Sequence, residues 1–143
     1  MNKTVLITGA TSGMGKETAL LLAEHGYSVY AGVRRSSQEL MDEAEKRGVK
    51  LNTVALDVQD TASIQQAVQH VMAKEGKIDV LVNNAGFGLV ATLEEGTDEE
   101  IFQQFDVNVF GLIKMTREVL PHMRHAQSGV VINISSFLGK MGL

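Results

Sequence analysis

Short apolar segments alternate along the chain with longer segments in which apolar residues recur at helical spacing. Five of the short segments are rich in β-branched residues and bounded by turn residues, a pattern typical of buried strands. These are Thr4–Thr8, Ser28–Val33, Leu51–Leu56, Ile78–Val82 and Val130–Ile134. Because predicted strands and helices alternate strictly, we expect an α/β fold: a doubly wound parallel sheet with right-handed crossovers and helices on both faces.

Three helix starts can be placed from the polar residues at their beginnings. Asp60 is a candidate N-cap before a helix with an apolar stripe. Ser36 with Glu39, and Thr97 with Glu100, have the spacing of a capping box, so helices are expected to begin near residues 37 and 98. The second of these helices is expected to run to about residue 124.

The composition is that of an ordinary globular protein. Of 143 residues, 44% are hydrophobic and 21% charged, so we expect residues 1–143 to form one domain around one core. The net charge of −4, with both signs interspersed, argues against nucleic acid or an anionic membrane as partner. Cysteine is absent, and the first apolar segment is too short for a signal peptide or membrane span, so the expected location is the cytoplasm.

A glycine-rich turn, TGATSGMG at residues 8–15, joins the first predicted strand to its helix. Glycines here allow a tight turn and the close approach of an anion, which the helix amides and dipole would face. The same glycines could instead serve only the geometry of an ordinary turn. The position within the first βαβ unit favours a dinucleotide phosphate site. Its predicted contacts are Gly9, Thr11, Ser12, Gly13, Met14 and Gly15, with the Met14 side chain expected to pack beneath the turn.

Four motifs in a fixed order carry a resemblance to a known family. They are TGATSGMG, NNAG at residues 83–86, DVNVFG around Asn108, and an INISS strand ending at Ser136. With these motifs the chain resembles the short-chain dehydrogenases/reductases. The resemblance implies a Rossmann sheet in the order 3-2-1-4-5, with a nicotinamide dinucleotide across its carboxyl edge, between the first and fourth strands. It also implies hydride transfer between that cofactor and a carbonyl compound or secondary alcohol.

The resemblance implies further cofactor contacts beyond the glycine turn. Asn84, Ala85 and Gly86 would border the ribose groups, whereas the adjacent Asn83 could simply tie the central strands together. Asp57, followed by Val58, would hydrogen-bond the adenine amine. An aspartate at a strand end that only caps a turn is the alternative for Asp57.

The resemblance also implies catalytic roles for Asn108 and Ser136. Ser136, with Ser135 as the adjacent alternative, would stabilise the developing oxyanion of the substrate, and the Asn108 backbone region would hold a water of a proton relay. A satisfied buried amide is the alternative for Asn108. The family's tyrosine and lysine, in a Tyr-x-x-x-Lys segment beyond the serine, have no counterpart here, and Tyr30 on the second strand is rejected as a substitute. We therefore expect an N-terminal portion of the enzyme that is inactive alone.

The end of the second strand bears on the choice of cofactor. Val33 stands where an acidic residue would accept hydrogen bonds from the adenosine ribose of NAD, and Arg34 and Arg35 follow it. A guanidinium binds a 2′-phosphate bidentately, and a hydrogen bond to a charged group contributes about 1.5–3 kcal/mol. The sequence therefore predicts NADP(H) in preference to NAD(H). A solvated basic turn is the alternative.

The partners follow from these interpretations. The segment from NNAG to DVNVFG looks most like branches of the family that act on lipophilic alcohols, so a small carbonyl or alcohol substrate is expected. A non-catalytic dinucleotide-binding or protein-interaction module is the alternative function. An exposed fifth-strand edge, or the helix over residues 98–124, is expected to support a homo-oligomer. No metal site is expected, because His122 and His125 lack a third ligand nearby in sequence.

Overall fold

The computed structural model describes residues 2–140, which form one parallel five-stranded sheet with helices on both faces. The strands are β1 (Thr4–Ile7), β2 (Ser28–Val33), β3 (Asn52–Ala55), β4 (Val80–Asn83) and β5 (Val130–Asn133). The helices are α1 (Gly13–Glu24), α2 (Gln38–Lys46), α3 (Thr61–Glu75), α4 (Asp98–Phe105) and α5 (Leu112–Ala126). The sheet order is β3-β2-β1-β4-β5, so the predicted doubly wound fold and its strand order are confirmed.

Two apolar layers hold the helices against the central strand β1. Val5 and Ile7 point into the layer that contains Leu20 of α1 and Leu40 of α2, whereas Leu6 points into the layer under α3 and α5. Successive side chains of a strand alternate between the two faces of the sheet, and all four β1 residues are fully buried. A strand buried on both faces therefore shows the continuous apolar segment that identified it in the sequence.

All three helices begin at or beside the predicted residues, and two of them have the predicted caps. The Asp60 carboxylate accepts a hydrogen bond from the amide of residue 62 at the start of α3. At α4, the Thr97 hydroxyl accepts from the Glu100 amide and the Glu100 carboxylate accepts from the Thr97 amide, which completes a capping box. These acceptors satisfy amides that have no partner within the helix.

The capping box predicted from Ser36 and Glu39 was wrong. Helix α2 begins at Gln38, whose amide donates to the Ser36 hydroxyl at 3.3 Å. The Glu39 carboxylate instead accepts from the Lys16 ammonium of α1 at 2.6 Å, and this bond holds the Glu39 pKa below its usual value. An ion pair between two elements has replaced the local cap, and it fixes α2 beside the glycine turn.

The single helix predicted over residues 98–124 is divided in the structure. A π-helix over Asp106–Gly111 lies between α4 and α5, and α5 continues to Ala126, where Gln127 adopts a left-handed conformation. π-Helical turns are rare and occur frequently at functional sites. Within residues 2–140, no helix combines the length and the apolar character needed to cross a membrane.

Candidate functional site

A cavity of about 510 Å³ lies at the carboxyl edge of the sheet, around the ends of β1, β2 and β4. Strand order reverses beside β1, which is where ligands bind in open α/β sheets. All six residues predicted in the glycine turn line this cavity, as do Arg34, Val58 and the three residues 84–86. Arg35, Asp57, Asn108 and Ser136 are the predicted positions that do not.

The glycine turn is shaped by close contact with the loop after β4. Gly9 and Gly13 have φ of 65° and 54°, in the left-handed region that favours glycine. A Cβ on Gly15 would lie 2.3 Å from both the Gly9 carbonyl oxygen and Asn84 Nδ2, and a Cβ on Gly9 would lie 2.8 Å from Ala85 Cα. A Cβ on Gly13 would meet no described atom within 4 Å. The turn is therefore closed on its protein side and open at Gly13.

Hydrogen bonds that involve Thr8 and Asn84 join the glycine turn to the loop after β4. The Thr8 hydroxyl accepts from the amides of Asn84 and Ala85, at 3.0 and 2.8 Å. Asn84 Nδ2 donates to the carbonyl oxygens of Thr8 and Gly9, both at 3.0 Å. Asn84 thus lines the cavity, but its amide donors are already used to hold the turn.

Asn83 ties two strands together, but the tie joins β4 to the edge strand β5 and to helix α5. Its Nδ2 donates to Asn133 Oδ1 of β5 at 2.9 Å and to Thr116 Oγ1 of α5 at 3.0 Å. Asn83 is buried, so these bonds also satisfy donors that would otherwise be costly to remove from water.

The first turn of α1 is free to bind an anion. Ser12 is its N-cap residue, and among the described residues no side-chain bond from Ser12 caps the helix. The opening amides of α1 therefore face the cavity with the positive end of the helix dipole. The expectation that Met14 packs beneath the turn was wrong, since its side chain is 70% exposed.

The two predicted arginines after β2 are placed differently. Both are exposed, and Arg34 lines the cavity whereas Arg35 does not. Among the described residues, neither guanidinium pairs with a carboxylate. Arg34 therefore offers its donors to a ligand at the β2 end of the cavity.

Asp57 caps the turn between β3 and α3, which is the alternative left open for it. Its Oδ1 accepts from the Gln59 amide at 3.0 Å, and its own amide donates to the Ser63 hydroxyl at 2.9 Å. The adjacent Val58 is buried and lines the cavity. The turn therefore presents an apolar side chain to the cavity.

Asn108 matches its alternative, a satisfied buried amide, in its hydrogen bonds but not in its burial, since the residue is only half-buried. Its Oδ1 accepts from the Phe87 amide at 3.0 Å, and its Nδ2 donates to the Phe87 carbonyl oxygen at 2.7 Å. The π-helix brings this side chain to the loop after NNAG, and Phe87 lines the cavity. Asn108 thus fixes one wall of the cavity without lining it.

Ser136 lies outside the cavity, at the start of a short 3-10 turn over Phe137–Gly139. Its hydroxyl accepts from the Leu138 amide at 3.2 Å, and both Ser135 and Ser136 are exposed. A hydroxyl that accepts one hydrogen bond retains its proton for donation. The side chain of Ser136 can still donate to a substrate oxygen.

Tyr30 is a core residue, as expected for a tyrosine on the second strand. Tyr30 is 4% exposed, and its hydroxyl donates to the Glu75 carboxylate at 2.9 Å. Burial, reinforced by this hydrogen bond, raises the Tyr30 pKa to about 12. A phenol that exchanges protons near neutral pH needs a shift in the opposite direction.

His122 and His125 lie near the end of α5, where a histidine interacts favourably with the helix dipole. Within residues 2–140, no three histidine, cysteine, aspartate or glutamate side chains lie together as a metal would require.

The sequence interpretation missed five residues that line the cavity. They are Gly32, Leu56, Phe87, Gln103 and Val107. Gly32 and Leu56 lie at the ends of predicted strands, and Phe87 directly follows NNAG, so their positions gave a usable signal. Gln103 and Val107 come from α4 and the π-helix, whose approach to the cavity depends on contacts distant in sequence.

A comparison with protein families decides the classification. The family model described as short chain dehydrogenase matches residues 3–143. The chain belongs to the short-chain dehydrogenase family.

The curated relatives of this chain include two proteins that are named as reductases of keto or oxo compounds. The chain is 42% identical to 3-ketodihydrosphingosine reductase of Bacteroides thetaiotaomicron over 97% of its own length and 49% of the relative's. It is 39% identical to the 3-oxoacyl-(acyl-carrier-protein) reductase FabG of Thermotoga maritima, over 98% of its length and 58% of the relative's. The chain thus spans about half the length of the curated relatives it matches.

Solved structures of short-chain dehydrogenases share this fold. A short-chain dehydrogenase from Streptomyces avermitilis, 39% identical, superposes with a TM-score of 0.91 over 99% of this chain and 52% of the other. Actinorhodin polyketide ketoreductase, crystallised with NADPH, is 32% identical and gives a TM-score of 0.93 over 99% of this chain and 56% of the other.

Proposed function

We propose that this chain is the cofactor-binding portion of an NADP-dependent oxidoreductase that reduces a carbonyl compound or oxidises a secondary alcohol. Family membership supports an oxidoreductase. The portion would act as one dinucleotide-binding domain over residues 1–143, with the cofactor in the cavity at the carboxyl edge of the sheet.

One observation carries the proposal: the uncapped start of α1 opens onto that cavity beside Gly13. A diphosphate is an anion of suitable shape for such a turn, because bare amides can reach its oxygens. The helix dipole contributes about 0.3–1 kcal/mol. Most of the affinity must therefore come from amide hydrogen bonds and from Thr11 and Ser12, which also line the cavity.

Bound in this cavity, the dinucleotide would donate or accept a hydride at its nicotinamide ring. Phe87, held by Asn108, would shape one wall of its site. Ser136 would donate a hydrogen bond from its hydroxyl to the substrate oxygen, stabilising the negative charge that develops there.

Arg34 would select NADP over NAD by binding the 2′-phosphate. We expect Arg34→Ala to weaken NADPH binding about 10- to 100-fold, the equivalent of a lost hydrogen bond to a charged group, while NADH binding changes less than about twofold. Titration calorimetry with both cofactors measures this difference.

Arg35→Ala is the matched control, because it removes the same charge from the neighbouring exposed residue outside the cavity. Screening limits the effect of such a charge, so NADPH affinity should fall less than about threefold. Equal affinities of the wild-type protein for NADPH and NADH would contradict the assignment of Arg34.

A lipophilic substrate is supported by two observations. The 42% identical relative is named for a ketosphingoid substrate, 3-ketodihydrosphingosine. A second cavity, of about 350 Å³, lies between the loop after β4 and α4, and Leu89, Leu93, Ile101 and Phe105 line it. Apolar walls of this kind favour a hydrocarbon tail over a charged group. Calorimetric binding of ketones of increasing chain length to the protein saturated with NADPH tests the proposal, because affinity should rise with chain length.

A dinucleotide-binding module without catalysis is the second candidate. It is favoured by the position of Ser136, which lies outside the cavity and is engaged with Leu138. Since the chain is expected to be inactive alone under either proposal, absence of turnover does not separate them, whereas turnover of NADPH with any ketone of the chain-length series would exclude the module.

Self-association is proposed through one of two exposed apolar surfaces. Val130 and Ile132 of the edge strand β5 are 52% and 43% exposed, and Phe110 and Ile113 lie exposed at the junction of the π-helix with α5. We expect the protein to sediment as a species larger than a monomer. Either Ile132→Lys or Phe110→Lys should restore the monomer, which identifies the surface used. A wild-type protein that sediments as a sharp monomer at high concentration would contradict the proposal.

A further inference from the structure

The turn between β3 and α3 forms one end of the cavity. Val33 of β2 pairs with Ala55 of β3, so the next residues along the two strands, Arg34 and Leu56, lie at neighbouring strand ends. Both line the cavity, and Val58 follows Leu56 in its wall. If Arg34 binds the 2′-phosphate, this turn is the part of the protein beside the adenosine half of the dinucleotide.

Three side chains bind this turn to the π-helix and α5. Gln59 Nε2 donates to Asp106 Oδ2 at 3.0 Å. The Lys114 ammonium donates to the Gln59 carbonyl oxygen at 3.0 Å and to Asp106 Oδ1 at 3.4 Å. We name Gln59, Asp106 and Lys114 the turn clamp. Both carboxylate oxygens of Asp106 are used in the turn clamp. The turn is held at Gln59, through both its side chain and its backbone carbonyl.

The packing behind the turn clamp leaves no free space. A Cβ on Gly111 would lie 2.8 Å from Val58 Cγ2 and 3.1 Å from the Val58 carbonyl oxygen. Val58 therefore rests directly on the backbone of the π-helix, and any movement of that helix is transmitted to the cavity wall. Contacts in close-packed interiors transmit displacement in this way.

The same π-helix also holds the opposite loop. Asp106 binds Gln59, while Asn108, two residues further on, binds both backbone groups of Phe87. Val107, between them, lines the cavity. One six-residue element thus carries the residues that fix the β3–α3 turn and the loop after β4.

From these contacts we propose that the turn clamp positions the β3–α3 turn for the adenosine half of the cofactor. The inference rests on the proposed function, since it concerns the same cavity. Gln59, Asp106 and Lys114 do not line that cavity, so they act as positioning residues through Val58 and Leu56. The side chains of Lys114 and Asp106 are 30% and 37% exposed, and ion pairs so exposed contribute little to global stability. Their main effect is on where the turn lies.

The test compares Lys114→Met with Lys77→Met. Methionine keeps most of the apolar stem and removes the charge. Lys77 is a matched control: it is 34% exposed and pairs with one carboxylate, that of Asp79, whose Oδ2 also accepts from the Thr4 amide at the first residue of β1. Binding of adenosine 2′,5′-bisphosphate, the adenosine half of NADP, is measured by calorimetry well below the unfolding temperature. Urea unfolding is measured on the same samples.

We expect Lys114→Met to weaken the binding of adenosine 2′,5′-bisphosphate about three- to tenfold, and Lys77→Met to change this affinity less than about twofold. Lys114→Arg, which keeps donors for Gln59 and Asp106, should recover at least half of the lost affinity on a logarithmic scale. Similar small losses of stability in both methionine variants would show that stability does not explain the difference in binding.

Two results would overturn the turn clamp alone: wild-type affinity in Lys114→Met, or an equal loss in Lys77→Met. If the wild-type protein binds neither NADPH nor adenosine 2′,5′-bisphosphate, the proposed function fails and the turn clamp fails with it. The wild-type titration therefore separates the two failures.

Discussion

Gly15→Ala is expected to lower the free energy of unfolding by about 2–6 kcal/mol. The added methyl group would lie 2.3 Å from the Gly9 carbonyl oxygen and from Asn84 Nδ2, so at least one of them must move. Overfilling a packed site costs about 1–3 kcal/mol. Displacing Asn84 also breaks its two bonds to the carbonyl oxygens of Thr8 and Gly9, each of which contributes about 0.5–1.5 kcal/mol. Urea unfolding followed by circular dichroism measures the loss.

Two other glycines provide the controls for Gly15→Ala. Gly13 and Gly26 have φ of 54° and 80°, and an added Cβ at either would meet no described atom within 4 Å. Alanine at these positions is destabilised only by the left-handed backbone conformation, which costs about 1–2 kcal/mol of unfolding free energy. Gly13→Ala should also weaken NADPH binding because Gly13 lines the cavity, whereas Gly26→Ala should not. If Gly15→Ala proves no less stable than Gly26→Ala, the close packing of the turn is disproved.

Thr8→Val and Thr4→Val should change stability in opposite directions, although both replace a buried threonine on or next to β1. Thr8 is 1% exposed, and its hydroxyl accepts from the amides of Asn84 and Ala85. Valine has nearly the same shape but leaves both amides unsatisfied, and each unsatisfied buried group costs about 1–3 kcal/mol. We expect Thr8→Val to lose about 2–6 kcal/mol of unfolding free energy and most of its affinity for NADPH.

Thr4 is fully buried, and its hydroxyl makes no hydrogen bond to any residue that the structure describes. Removing an unpaired buried hydroxyl relieves a desolvation cost, so Thr4→Val should be neutral or stabilise the protein by about 1 kcal/mol. Urea midpoints of the two variants measured side by side make the comparison. A Thr4→Val variant as unstable as Thr8→Val would show that valine itself, and not the lost acceptor, is the cause.

The fold was predictable because its signals are local. Four of the five strands are short and largely apolar, and helices bury both faces of β1 and β2, so period and composition identify them directly. The glycine turn was also predictable, since its conformation requires residues without a Cβ at Gly9 and Gly13.

The roles of polar side chains were harder to predict because one chemical group suits several partners. Asp57 and Asn108 form hydrogen bonds with nearby backbone groups. Glu39 of α2 pairs with Lys16 of α1 instead of forming the expected cap. Which hydrogen-bond partner such a side chain takes depends on distances between elements of the fold, and the sequence alone does not give those distances. The division of the 98–124 helix by a π-helix is a further case, and it determines that Val107 reaches the cavity.

Because the beginning of α1 is uncapped, the binding of an anion there would be coupled to the folding of the protein. An anion seated there would take the place of the cap that Ser12 does not provide, and so would complete the helix as well as occupy the cavity. A ligand that binds only the folded state stabilises it in proportion to the logarithm of its free concentration above the dissociation constant. The conformational stability of this chain would then follow the cellular level of its own cofactor.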